Sequence, residues 1–172
     1  MKLIKKSYYS LIAFLIVVSF SSCGYNTGIE LEENVASQWA QVENVYQRRA
    51  DLIPNLVETV KGAANFEKET LEAVVQARSK ATGITIDPTN ITPDALQKFQ
   101  QAQDGLSSSL SRLLVSVEKY PELKANANFQ NLQSQIEGAE NRISTERKKF
   151  NDVVKVYNSH IRKFPTNITA GM

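Results

Sequence analysis

The chain of 172 residues has one cysteine, Cys23, and one histidine, His160, together with one tryptophan, seven glycines and five prolines. Each scarcity excludes something. A single cysteine permits no intramolecular disulfide. One histidine cannot build a histidine metal cluster, and the residue three before it is Tyr157, so the Glu-x-x-His pairs of di-iron bundles are missing. No cysteine–histidine pair or glycine-rich phosphate loop is present. No cofactor or metal is expected. The charge is also unremarkable in sign. The formal net charge is +2, but Lys2, Lys5 and Lys6 lie in a leader-like stretch. Without them 17 basic side chains face 18 acidic ones. A nucleic-acid partner normally requires a clustered basic face, and none is expected.

What the chain has instead is apolar residues spaced by three and four. Phe129, Leu132, Ile136, Ala139, Ile143, Phe150, Val153, Tyr157, Ile161 and Phe164 form one stripe, with Glu146 as its polar interruption. Such a stripe predicts a long amphipathic helix. At 1.5 Å per residue it would run roughly 54 Å. A helix of that length must bury its seam against others to offset the cost of ordering its backbone.

Partners are supplied upstream. Val35, Trp39, Val42, Tyr46, Ile53, Leu56 and Val60 keep the same spacing, broken only at Arg49–Ala50. Pro54 lies inside that pattern and predicts a kink near Ala50 to Ile53, where Asp51 could cap a restarted turn. Gly62 and Asn65 mark the end of that helix. A shorter helix is expected over 66–81, with Leu71, Val74, Val75 and Arg78 on one face and Gly83 as its stop. Residues 84–90 read as a loop. Thr92, Pro93 and Asp94 read as N-cap, N1 and N2 of a third helix. Its seam is Leu96, Phe99, Gln103, Leu106, Leu110, Leu113, Val117 and Tyr120, and Pro121 stops it. Residues 122–128 connect it to the last helix, and Pro165 ends that one. The expected fold is all-α: an antiparallel up-down four-helix bundle with long helices. In that topology the end of the last helix returns to the start of the first.

The N-terminus carries an address. Three lysines precede Leu11–Phe20, an apolar run of about ten residues, where a bilayer span needs roughly twenty. Ser21, Ser22 and Cys23 follow. The pattern is that of a signal peptide over 1–22. Its junction resembles a bacterial lipobox, with Phe20 where an aliphatic residue is usual. Lipidation of Cys23 would tether the domain outside the cytoplasm, since two acyl chains hold stably where one does not. The competing reading is an uncleaved signal anchor. Residues 23–29 would be a tether, its turn-forming GYNTG arguing against a helix, and 30–165 the bundle.

Three polar sets stand out. Arg48, Arg49, Asp51 and Pro54 form a candidate interaction surface at the bend, against a plainer reading as a surface ion pair with local capping. Glu140, Asn141, Arg142, Glu146, Arg147, Asn151, Tyr157 and Asn158 form a candidate buried polar layer that sets helix register. Ala139, Gln103 and Glu146 are small or polar seam positions that could line a pocket.

One stretch, Arg48 to Gly62 (RRADLIPNLVETVKG), resembles the LemA family. The resemblance continues through 67–74 with Ala77–Arg78, resumes at 120–126, and runs through Phe129, Leu132, 136–138, 140–143, Arg147, Phe150–Asn151, Tyr157–Asn158 and 161–165. It implies a membrane-tethered bacterial protein with an extracytoplasmic helical bundle and no catalytic residue to carry over. It also implies an N-terminal transmembrane helix, which the shorter segment ending at Cys23 replaces, and a longer tail than 166–172. The expected role is a non-enzymatic interaction or scaffold module for envelope proteins. A ligand-sensing or ligand-carrying bundle and a homo-oligomeric scaffold are the alternatives.

Overall fold

A computed structural model describes residues 2–63, 66–164 and 166–169, with side chains described within 26–63, 66–164 and 166–167. Among them every regular element is helical: α1 (Lys2–Lys61), α2 (Lys68–Thr82), α3 (Pro93–Val117), α4 (Pro121–Lys124), α5 (Ala127–Ile161) and α6 (Thr166–Thr169). The chain divides into two compact units, one of Met1–Gln38 with Lys149–Met172 and one of Trp39–Lys148.

The 39–148 unit is an antiparallel four-helix bundle built from the ends of α1 and α5 that lie within it and from α2 and α3. The seams read from the sequence are the ones it buries. Ile53, Leu56 and Val60 from α1 meet Leu71 and Val74 from α2, Leu106, Leu110, Leu113 and Val117 from α3, and Phe129 and Ile136 from α5. Each such side chain contributes about 1.5–3 kcal/mol on burial. A second cluster is aromatic. Phe99 meets Trp39 edge-on at 5.3 Å and Tyr46 edge-on at 5.1 Å, the geometry that ring quadrupoles favour.

The helix ends follow local chemistry. Thr92 accepts from the Ala95 amide at 3.2 Å and Pro93 opens α3, as a cap-and-proline start requires. Gly83 follows α2 and donates to Ser79 O. The connector 122–128 holds a turn of helix, α4, which Pro121 starts. Asn126 starts α5 instead, accepting from the Asn128 and Phe129 amides at 2.9 and 3.2 Å. The 84–90 loop is pinned by Ile86, which is buried, and by Asp87, which accepts from the Thr89 amide and hydroxyl.

Four expectations need correction. α1 includes residues 24–28, so the turn-forming GYNTG does not interrupt the helix. The helix is also not restarted at Asp51; that carboxylate accepts from Gln47 Nε2 one turn back, at 2.7 Å. Val75 is 49% exposed, because the buried stripe of α2 runs Leu71–Val74 and then Ala81, which turns Val75 outward. Phe164 lies three residues beyond the end of α5 and is 81% exposed, so the seam stops with the helix.

The other unit pairs the start of α1 with the end of α5 in antiparallel fashion. Gly28 lies against His160: a Cβ there would sit 3.9 Å from His160 Nε2. Cys23 lies outside the residues whose side chains are described, and so does Pro165. No helix among the described residues is long and apolar enough to cross a membrane.

Candidate functional site: a polar layer and the cleft beside it

Arg49 occupies the seam position between Tyr46 and Ile53, where an apolar residue would continue the row. It is 1% exposed. An arginine can be buried there only if its charge and its donors are matched, and the bundle matches both. Nη1 donates to Glu140 Oε1 on α5 at 2.5 Å and to Ser107 Oγ on α3 at 2.6 Å. Nη2 donates to Gln103 Oε1 at 2.6 Å and more weakly to Gln103 O at 3.3 Å. Ser107 in turn donates to the same Glu140 oxygen at 3.1 Å. Gln103, itself buried, donates through Nε2 to Ala81 O near the end of α2 at 3.1 Å. One guanidinium therefore links α1, α3 and α5, and Gln103 extends the link to α2. The guanidinium carbon also lies 5.3 Å from the centre of the Tyr46 ring, within cation–π range. Only Nε has no hydrogen-bond partner.

Tyr46 brings a buried phenol to this layer. Burial pushes its phenol above its ordinary value, and the positive charges of Arg147 and Arg49 oppose the shift. The phenol therefore stays neutral through the physiological range.

Beside the layer lies a half-open cleft of about 240 Å³. α1 lines it with Glu43, Asn44, Tyr46 and Gln47, the end of α2 with Ala81 and Thr82, the following loop with Ile84 and Thr85, and α3 with Phe99 and Gln103. Of the three seam positions singled out for a pocket, Gln103 lines this cleft, whereas Ala139 is buried in the core and Glu146 is half-buried on α5.

A family model described as LemA family matches residues 38–172. The chain belongs to the LemA family. It is 24% identical over 183 residues to magnetosome protein MamQ 2 of Paramagnetospirillum magneticum, covering 95% of this chain and 65% of that protein. It is 26% identical over 185 residues to magnetosome protein MamQ of Magnetospirillum gryphiswaldense, with the same coverage. It is 23% identical over 169 residues to protein LemA of Metamycoplasma hominis, covering 96% of this chain and 74% of that protein. The chain thus spans 65% of the length of the MamQ proteins it matches.

Within this LemA bundle the residues singled out from the sequence separate by burial. Arg48, Asp51 and Pro54 are exposed, while Arg49 is the centre of the internal layer. Glu140 is half-buried and joins that layer. Asn141, Arg142 and Asn151 are exposed, so a buried layer does not run through them; Glu146, Arg147, Tyr157 and Asn158 are half-buried. Sequence reasoning missed that Arg49 and Gln103 are partners. The signal was available, since each is a polar residue standing in an otherwise apolar seam.

Proposed function

We propose that this LemA protein is a non-enzymatic interaction module, tethered by lipid on Cys23 to a membrane of the bacterial cell envelope, with its bundle on the extracytoplasmic side. One observation carries the reading. α1 exposes Gln47, Arg48, Asp51, Pro54 and Asn55 along one face, and that face is backed by two interhelical clamps. Arg49 ties its inner side to α3 and α5, and Arg78 Nε on α2 donates to Ala50 O at 2.8 Å. A surface fixed in this way loses little entropy on binding, which favours recognition by a partner protein. Kinship with proteins named for the magnetosome supports a role as one component of a larger cellular assembly.

The test is photocrosslinking in intact cells, with probes at Gln47 and Arg48 and a control at the exposed Val115 of α3. A dominant envelope protein captured from α1 and not from α3 is the expected result. Capture only of a second copy of this chain would replace the reading with homo-oligomeric scaffolding. Equal capture from both helices would overturn the assignment of the face. Arg48→Glu should abolish the crosslink without altering stability, because Arg48 is exposed.

A further inference from the structure

We propose that the cleft between α1, the end of α2 and α3 is a binding site for a small organic cation, of the amine or trimethylammonium class. This site lies apart from the exposed stripe carrying Arg48 and is independent of the role proposed for it.

The charge balance of the lining points to a cation. Glu43 is half-buried and is the one formally charged residue that lines the cleft. Among the described residues it has no ion-pair partner. Neither Lys80, in the last turn of α2, nor Arg49 lines the cleft. Arg49 lies behind it and is already matched by Glu140. At Tyr46 the charges of Arg147 and Arg49 outweigh those of Asp104 and Glu140, so the negative charge of the cleft is that of Glu43 itself.

The second argument is the helix terminus. Ala81 and Thr82, the last two residues of α2, form one wall. The C-terminal end of a helix carries partial negative charge and favours cations. The third is the aromatic lining, to which Phe99 contributes a ring not already lying against a cation, whereas the Tyr46 ring lies against Arg49. Aromatic rings with carboxylate and carbonyl oxygens are the chemistry that recognises alkylammonium groups. Asn44, Gln47 and Thr85 add acceptors for a hydroxyl or amine hydrogen at the mouth. A cleft of about 240 Å³ lies just below the usual range for ligand pockets, which suits a small ligand. Its walls come from three helices locked by Arg49, Gln103 and Arg78, so the site is pre-formed.

The test uses the full chain in a neutral detergent and isothermal titration. The probes are choline, n-butylammonium, and the uncharged carbon isostere of choline in which a tert-butyl group replaces trimethylammonium. The expected result is saturable millimolar or tighter binding of both cations, with the isostere weaker by roughly tenfold or more. Glu43→Gln should weaken the cations by a similar factor and leave the isostere unchanged. Asn44→Lys, which places a cation at the mouth, should abolish cation binding. Equal binding of choline and its isostere would overturn the proposal, as would an absence of saturable heat from either cation. The comparison of probes on the unaltered chain needs no variant to fold. Where Glu43→Gln retains the parent unfolding transition, undiminished cation affinity would equally sink the proposal.

Discussion

Arg78 completes a hydrogen bond that Pro54 cannot make. In a regular helix the amide of residue 54 would donate to the carbonyl of residue 50, but proline has no N–H. Ala50 O instead accepts from Arg78 Nε at 2.8 Å. The proline inside α1 thus creates an attachment point for α2. A helix-breaking residue becomes a link between two helices, and α1 continues through it to Lys61.

That link is testable by a double-mutant cycle. Arg78→Ala should cost about 1–3 kcal/mol, because the buried Ala50 carbonyl loses its donor. Pro54→Ala restores a backbone donor, so the same Arg78→Ala change should cost about 1 kcal/mol less in that background. Urea unfolding followed by Trp39, the only tryptophan, reads both. Equal costs in the two backgrounds would show that Arg78 acts independently of Pro54.

The N-cap of α3 offers a local check. Thr92 satisfies the Ala95 amide, and the cap is exposed. Thr92→Ala should cost about 1 kcal/mol, and Thr92→Ser should restore most of it. An unchanged urea midpoint for Thr92→Ala would mean that Pro93 alone starts the helix.

Much of this architecture is legible in the chain because seams and caps are local statements. The three-and-four spacing of Phe99 to Val117 fixes which face of α3 is buried, and Thr92–Pro93 fixes where it starts. The polar layer is harder to read. Arg49 and Gln103 are 54 residues apart, and nothing local says that two polar seam residues share a level of the bundle. Glu140 and Glu146 both belong to the set read as a register-setting layer. Glu140 is the one that meets Arg49, and which of the two does so is set by the height at which α1 and α3 cross α5. Pro54 was equally visible, but its consequence depended on Arg78 from another helix.

Acid should loosen one surface contact between the N-cap of α2 and the turn that follows α3. Glu67 accepts from Lys119 Nζ at 3.0 Å. Its carboxyl is held below the ordinary value, first by the Lys119 hydrogen bond and then by Thr70. A depressed folded-state pKa gives stability that is present above the unfolded value and lost as pH falls through the folded one. Glu67→Gln should therefore be slightly less stable than the parent at neutral pH. The difference should vanish as pH drops below the normal carboxylate range. Both residues are exposed, so the effect is small and is best read as a difference in Tm between pH 7 and about pH 3. A gap that persists at the acid end would assign the effect to the cap position of Glu67 and not to the ion pair.

The largest single effect should come from Arg49. Arg49→Met fills similar space but removes the donors to Glu140, Ser107 and Gln103 together. Breaking a fully buried charge pair from one side costs about 3–5 kcal/mol. Here Glu140 is 38% exposed and can rehydrate, which places the expected loss at the lower end, about 3 kcal/mol. Gln103 Oε1 remains as the buried orphan. Arg49→Lys should still lose about 2 kcal/mol, since one ammonium cannot span three acceptors that a planar fork reaches. Arg49→Met combined with Gln103→Leu and Glu140→Gln should recover most of the loss, because no unpaired charge is left buried. Recovery should stop short of the parent, since Gln103→Leu leaves Ala81 O without its donor. Urea unfolding read through Trp39, which packs on Phe99 next to this layer, measures all three. An Arg49→Met chain as stable as the parent would show that the layer sets helix register without adding to stability.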